Sequence, residues 1–170
     1  MSFVDRAARL RVPLGFVSGI AALVLSDPTR DSLIAGASIA AIGEATRIWA
    51  AGHLEKSREV TTSGPYRFTR HPLYLGSAIM TLGFVIAAHS VAVAVLASTY
   101  LAITYSSAIR REEAFLTARF GAAYPDYKAG RLGGVARSFS LERAMRNREY
   151  RAVIGLLVAL AILAVKVAVR

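Results

Sequence analysis

Apolar runs recur along this chain at Val12 to Leu25, Leu33 to Gly52, Pro72 to Ala88, Val91 to Ile109 and Ala152 to Val169. Several approach the span of a bilayer, and short polar segments dense in arginine separate them. A soluble domain of 170 residues has no interior large enough for so much apolar surface: 55% of the residues are hydrophobic and mean hydropathy is +0.45. The expected fold is all-α, an integral membrane bundle of about five transmembrane helices forming a single domain over residues 1–170. Cysteine is absent, which excludes a disulfide frame, thiol catalysis and a cysteine-bound zinc ion.

The net charge of +10 is read in that context. Nucleic-acid binding is the usual reading for a basic soluble domain, but here the cations lie between apolar helices and suit an anionic membrane surface. Arg6, Arg9, Arg11, Lys56, Arg58, Arg67, Arg70, Arg110, Arg111, Arg119 and the arginines from 131 to 151 fall on one side. Arg30, His89, Lys166 and Arg170 fall on the other. The positive-inside rule then puts the N-terminus and every polar motif on the cytoplasmic side. The membrane is the expected partner, and no nucleic acid is.

The local signals give the breaks between helices. Gly15 and Gly19 in the first run allow close helix packing, and Ser26-Asp27-Pro28 ends it. Asp31-Ser32 offers an N-cap for the second helix, on which Glu44 and Arg47 lie three apart and share a face. That pair reads as an intrahelical ion pair, or as the wall of a polar pocket. His89-Ser90 makes a tight reversal, and Phe115, Leu116 and Phe120 carry helical spacing beyond the membrane until Gly121 stops it. Tyr124-Pro125-Asp126-Tyr127 is an aromatic turn, 130–140 is irregular, and 141–151 is a basic lead-in to the last apolar helix.

The densest chemistry lies in Gly64-Pro65-Tyr66-Arg67-Phe68-Thr69-Arg70-His71-Pro72-Leu73-Tyr74-Leu75-Gly76. Gly64-Pro65 marks a turn, and Pro72 holds His71 extended while suiting the first helical turn. A basic, aromatic loop is thereby delivered to a helix N-terminus, where free N–H groups favour an anion. One hairpin later stand Glu112 and Glu113. Neither a Gly-x-Gly-x-x-Gly fingerprint nor a phosphate-binding Gly-x-x-x-x-Gly-Lys-Ser/Thr loop occurs, so no Rossmann domain is expected. Three histidines, one of them on the far side, make a weak case for a metal, and none is expected. The remaining pattern is a pocket with a cationic, aromatic wall and an acidic one, suited to a zwitterion or to a cation such as a sulfonium.

Gly64-Pro65-Tyr66-Arg67-x-x-Arg70-His71-Pro72-x-Tyr74-x-Gly76, followed by Glu112-Glu113-x-x-Leu116-x-x-x-Phe120-Gly121-x-x-Tyr124-x-x-Tyr127, resembles the isoprenylcysteine carboxyl methyltransferase family. The related phospholipid methyltransferases share much of the pattern. The resemblance covers residues 47–137 and leaves the C-terminal helix, 152–169, as an addition. It implies a membrane methyltransferase, here in a bacterial inner membrane, that uses S-adenosylmethionine. The cofactor residues it implies are Arg58, Glu59, Val60 and Thr61, then Tyr66, Arg70, His71, Pro72, Leu73, Tyr74 and Gly76, with Glu112. Arg110 and Glu113 are the candidate catalytic residues. Where the eukaryotic enzymes of that family place a substrate-binding arginine, four residues before the glutamate, this chain has Ala108.

The acceptor implied is a lipophilic small molecule or lipid, most simply an isoprenylcysteine-like carboxylate. A carboxylate is already ionised at neutral pH and needs no base, and no residue here stands out as one. Arg47, Arg110 and Arg111 are the candidates to hold its anionic head. Phospholipid N-methylation and NADPH-dependent membrane reduction are the alternatives, the second because some sterol reductases carry a similar His-Pro-x-Tyr helix start.

Overall fold

The computed structural model describes residues 15–56, 58–133 and 136–169. Arg6, Arg9, Arg11 and Arg170 of the charge argument, and the first residues of the first apolar run, lie outside them. The described residues are helical and carry no strand. The helices are α1 (Gly15–Leu25), α2 (Arg30–His53), a 3-10 turn (Gly64–Arg67), α3 (Pro72–Ala88), α4 (Val91–Phe120), α5 (Ala123–Lys128), α6 (Leu141–Arg146) and α7 (Tyr150–Ala168).

Two of them, α4 with 30 residues and α7 with 19, are long and apolar enough to cross a bilayer by themselves. Helices α1 and α3 are apolar but shorter, and α2 has 24 residues but includes Glu44 and Arg47. Large apolar side chains point outward: Phe16, Val17 and Val24 on α1, Val95 and Ile103 on α4, and Leu157, Val158 and Val165 on α7 are all exposed. Lipid tails accept such a surface where water does not. The small apolar core of Ala22, Ala88 and Val93, with Phe84, Val85 and Leu96 against it, joins α1, α3 and α4.

Helices α2 and α3 form the centre of the bundle, and glycine explains their closeness. A Cβ on Gly36 would run into the backbone of Gly83 and Ala87, and one on Gly43 into that of Gly76 and Met80. Gly83 and Gly76 answer from the other helix, against Ala40 and against Gly43 and Arg47. The two backbones touch because no side chain lies between them, the usual way for helices to associate in lipid.

Caps set the helix boundaries. The N-cap of α2 is Thr29 rather than Asp31 or Ser32: the Ser32 amide donates to Thr29 Oγ1 at 3.1 Å, and the Thr29 amide donates to Ser32 Oγ at 2.9 Å. This reciprocal box satisfies two amides at once, which a cap one turn later would leave open. His89 ends α3 in the left-handed region (φ 48°) and Ser90 caps α4, the expected reversal. The tyrosine-rich segment is a helix, α5, rather than a turn, and the basic lead-in divides into α6 and the first residues of α7.

The chain has two polar ends. At one, the Asp27 amide donates to the Ala88 carbonyl at 2.8 Å, and Lys166 Nζ donates to the carbonyls of Leu23 (2.8 Å) and Ser26 (2.6 Å). Lys166 therefore caps α1 from the last helix. The other end holds the motifs.

Candidate active site

The C-terminal end of α2 would leave several carbonyls unpaired. The segment around α6 supplies their partners. Asn147 Nδ2 donates to the carbonyls of Ala51 and Leu54, both at 2.9 Å. Arg143 donates through Nη1 to the Gly52 carbonyl and through Nε to Glu55 Oε1 at 2.8 Å. His53, the last residue of α2, lies buried with Nδ1 3.1 Å from Ser63 Oγ. A Cβ at Gly64 would strike the His53 ring, and Gly64 also takes φ +57°, so glycine is required there on both counts.

From that turn the 3-10 segment buries Tyr66, whose carbonyl accepts a hydrogen bond from Tyr127 Oη at 2.6 Å. Burial pushes the Tyr66 phenol well above its ordinary pKa and raises that of Tyr124 to about 12. Both are neutral hydroxyls in any physiological medium. His71 stands at the N-cap of α3 with Pro72 as first helical residue. Its ring packs edge-on against Tyr74 (centroids 5.9 Å apart), and Tyr74 packs likewise against Tyr105 (5.1 Å).

The two glutamates divide their tasks. Glu113 turns to the basic side: Lys128 Nζ donates to it at 2.8 Å, His71 Nε2 lies 3.4 Å away and Arg70 3.8 Å away. The hydrogen bond from Lys128 holds its pKa below the usual carboxylate range. Glu112 faces a cavity of about 610 Å³, with Oε2 4.0 Å from His71 Nδ1, too far for a hydrogen bond. That His71 nitrogen is buried and has no partner.

On the α2 side of the cavity, Arg47 Nε donates to Glu149 Oε1 at 2.6 Å, with Glu44 Oε2 at 3.8 Å, and Arg47 Nη1 donates to Ser77 Oγ. The Glu44–Arg47 ion pair expected from sequence is present, but the closer partner is a residue 102 positions away.

Of the sequence candidates, Glu59, Val60, Thr61, Tyr66, Arg70, His71, Pro72, Leu73, Tyr74 and Glu112 all line this one cavity. Four candidates lie off its lining. Arg58 is three-quarters exposed and lies 3.8 Å from Glu55. Gly76 serves the α2–α3 contact, because its small size is consumed by Arg47 and Gly43. Glu113 is held by Lys128 behind His71. Arg110 is exposed and folds back on its own helix, donating to the Ser106 carbonyl at 2.9 Å. Residues not singled out from sequence complete the wall: Glu55, Tyr105, Asn147 and Glu149. Tyr105 carried a signal, since it precedes Glu112 by seven residues and so shares its helical face. Among the described residues no group of three metal-ligating side chains converges.

The described residues thus form a helical bundle, two of whose helices are long and apolar enough to cross a membrane, with a polar, tyrosine-rich cavity at one end. The chain belongs to the phospholipid methyltransferase family, whose model matches residues 20–123, a family that includes isoprenylcysteine carboxyl methyltransferase-like proteins. It is also similar to the cobalt-zinc-cadmium resistance protein CzcN of Cupriavidus metallidurans, 36% identical over 87 residues, and to the nickel-cobalt-cadmium resistance protein NccN of Alcaligenes xylosoxydans xylosoxydans, 32% identical over 87 residues. Each match spans 50% of this chain and only 39% of the relative. No solved structure matches it.

Proposed function

We propose that the protein transfers a methyl group from S-adenosylmethionine to an acceptor bearing a lipid or other apolar tail. The observation that carries this reading is the lining of the cavity. In a protein of net charge +10, Glu55, Glu59, Glu112 and Glu149 there face Arg47, Lys56 and Arg70, among five tyrosines. Aromatic faces attract a desolvated cation, and carboxylates accept hydrogen bonds from ammonium and hydroxyl groups. A small cation rich in hydroxyls fits that lining, and S-adenosylmethionine is one; when bound it supplies an electrophilic methyl on sulfur.

The remaining contributions come from the chain. Glu112 offers an acceptor for hydroxyls or an ammonium. His71 Nδ1 is an unpaired buried polar atom of the kind a ligand satisfies. Tyr66 and Tyr74 offer aromatic faces, and the buried stretch around Thr61 offers backbone along one edge. Displacement at a methyl group is in line, so positioning two partners and excluding water supply most of the acceleration. The residues lining the cavity lie toward the arginine-rich ends of the helices, which the positive-inside rule would assign to the cytoplasm.

Of the arginines considered for an anionic acceptor head, Arg110 donates back to its own helix, Arg47 is paired with Glu149, and Arg111 lies off the cavity lining. Glu112 and Glu149 also put carboxylates where the sequence showed no base. The acceptor is therefore read only as a nucleophile with an apolar tail. Purified protein given methyl-labelled S-adenosylmethionine and either membrane lipid or a prenylcysteine analogue tests this. Label in an organic-phase product is expected, and label confined to a water-soluble acceptor would contradict it.

A further inference from the structure

The family match ends at residue 123, but the cavity does not. Asn147 and Glu149, from the segment leading into α7, line it as well. Glu149 is fixed there. Its side chain is 8% exposed, Arg47 Nε donates to it at 2.6 Å, and Arg47 in turn donates to Ser77 on α3. One chain of contacts therefore crosses three helices along one wall. A buried ion pair is a poor device for stability alone, since desolvation offsets most of its attraction. Helix α7 also has a second tie, Lys166 to the end of α1, which faces no part of this cavity.

We propose that Glu149 is a positioning and charge-setting residue of the candidate active site. It holds Arg47 against Ser77 and adds a carboxylate to the lining, where Glu55 and Glu59 are already paired with Arg143 and Arg137, so the C-terminal segment contributes to the preference for a cationic ligand. This inference rests on the reading that the ligand is S-adenosylmethionine. With glutamine at 149 the lining would lose one unit of negative charge and the bias toward a cation would weaken. Arg47 would also lose the partner that orients it, with Glu44 next nearest. The Tyr66 phenol feels the field of Glu112 and of Glu149 together, behind the larger effect of its burial. The two carboxylates thus act on a common region.

The sulfonium donor and its thioether product differ at sulfur by one positive charge, so the ratio of their affinities reads charge rather than fit. Calorimetry with both compounds on wild-type protein, Glu149→Gln, Lys56→Met and Lys166→Met tests the proposal. Wild type should favour the sulfonium. Glu149→Gln should lower the ratio about tenfold, the order expected of one unit charge acting over about 10 Å at an effective dielectric constant of about 20. Lys56→Met removes a lining cation and should raise the ratio, which keeps the test open if Glu149→Gln does not fold. Lys166→Met should lower the melting temperature and leave the ratio alone. A ratio unchanged in Glu149→Gln or Lys56→Met, or lowered equally in Lys166→Met, overturns the inference while leaving donor binding intact. Wild-type protein that binds neither compound overturns the donor reading and the inference with it.

Discussion

Tyr127 donates its phenol hydrogen to the backbone carbonyl of Tyr66 at 2.6 Å, across 61 residues. The bond locks α5 over the 3-10 turn and so closes one side of the cavity. Tyr127→Phe keeps the ring and removes the bond, leaving a half-buried carbonyl unpaired. A loss of about 1 kcal/mol is expected. Thermal unfolding in detergent measures it, and an unchanged melting temperature would show that the lock contributes nothing.

The α2–α3 contact predicts intolerance of side chains at its centre. Gly43→Leu places four carbons where the Gly76 and Met80 backbones already sit. Overpacking of this kind costs on the order of 1–3 kcal/mol even where the structure can yield, and here the obstacle is backbone. We expect no monodisperse protein from Gly43→Leu on size exclusion, whereas leucine at exposed Gly19, with nothing near its Cβ direction, should be tolerated. Normal behaviour of Gly43→Leu would mean the helices are not packed this way.

Glu113 gives the pH dependence a sign. It lies beyond the apolar part of α4, and its folded-state pKa is depressed, first by the hydrogen bond from Lys128 and then by the one from His71. A depressed carboxylate stabilises the fold fully above its unfolded pKa of about 4.3, and that contribution is lost as pH falls through the folded value. Melting temperature should therefore drop on acidification from pH 6 to below the ordinary carboxylate range (about 4), and the drop should be shallower in Glu113→Gln. Parallel curves for the two proteins would remove Glu113 from the account.

The legible parts of this chain were local. Pro72 at the first position of α3, Gly121 after a helical run and His89-Ser90 between apolar stretches each act on their neighbours, so their spacing announces the helix ends, although His71 takes φ −130° and ψ 58° rather than the extended conformation expected of it. The Glu112 face was legible for the same reason, because helical periodicity places Leu116 beside it. The α6–α7 region was not legible. Asn147 caps carbonyls 93 and 96 residues away, and Glu149 meets an arginine 102 residues away. Embedded among Arg143, Arg146, Arg148 and Arg151, these two residues look like relief in a basic stretch. Gly76 sits inside a motif that lines the cavity, yet it packs on α2, and its seven-residue spacing to Gly83 is the mark of that helix contact. Arg110 lies off the lining because sequence proximity to Glu112 does not put two residues on one face.

The central claim is that the cavity between His71, Glu112 and the tyrosines holds S-adenosylmethionine. Titration calorimetry of the purified wild-type protein with S-adenosylmethionine and, separately, with NADPH tests it most directly. His71→Ala and Glu112→Gln serve as probes of the site, and Arg30→Ala at the opposite end of the bundle serves as control. Binding of S-adenosylmethionine and not of NADPH is expected, with affinity about tenfold weaker or worse in each site variant and no change in Arg30→Ala. Binding of NADPH alone, or full affinity for S-adenosylmethionine in both His71→Ala and Glu112→Gln, would contradict it.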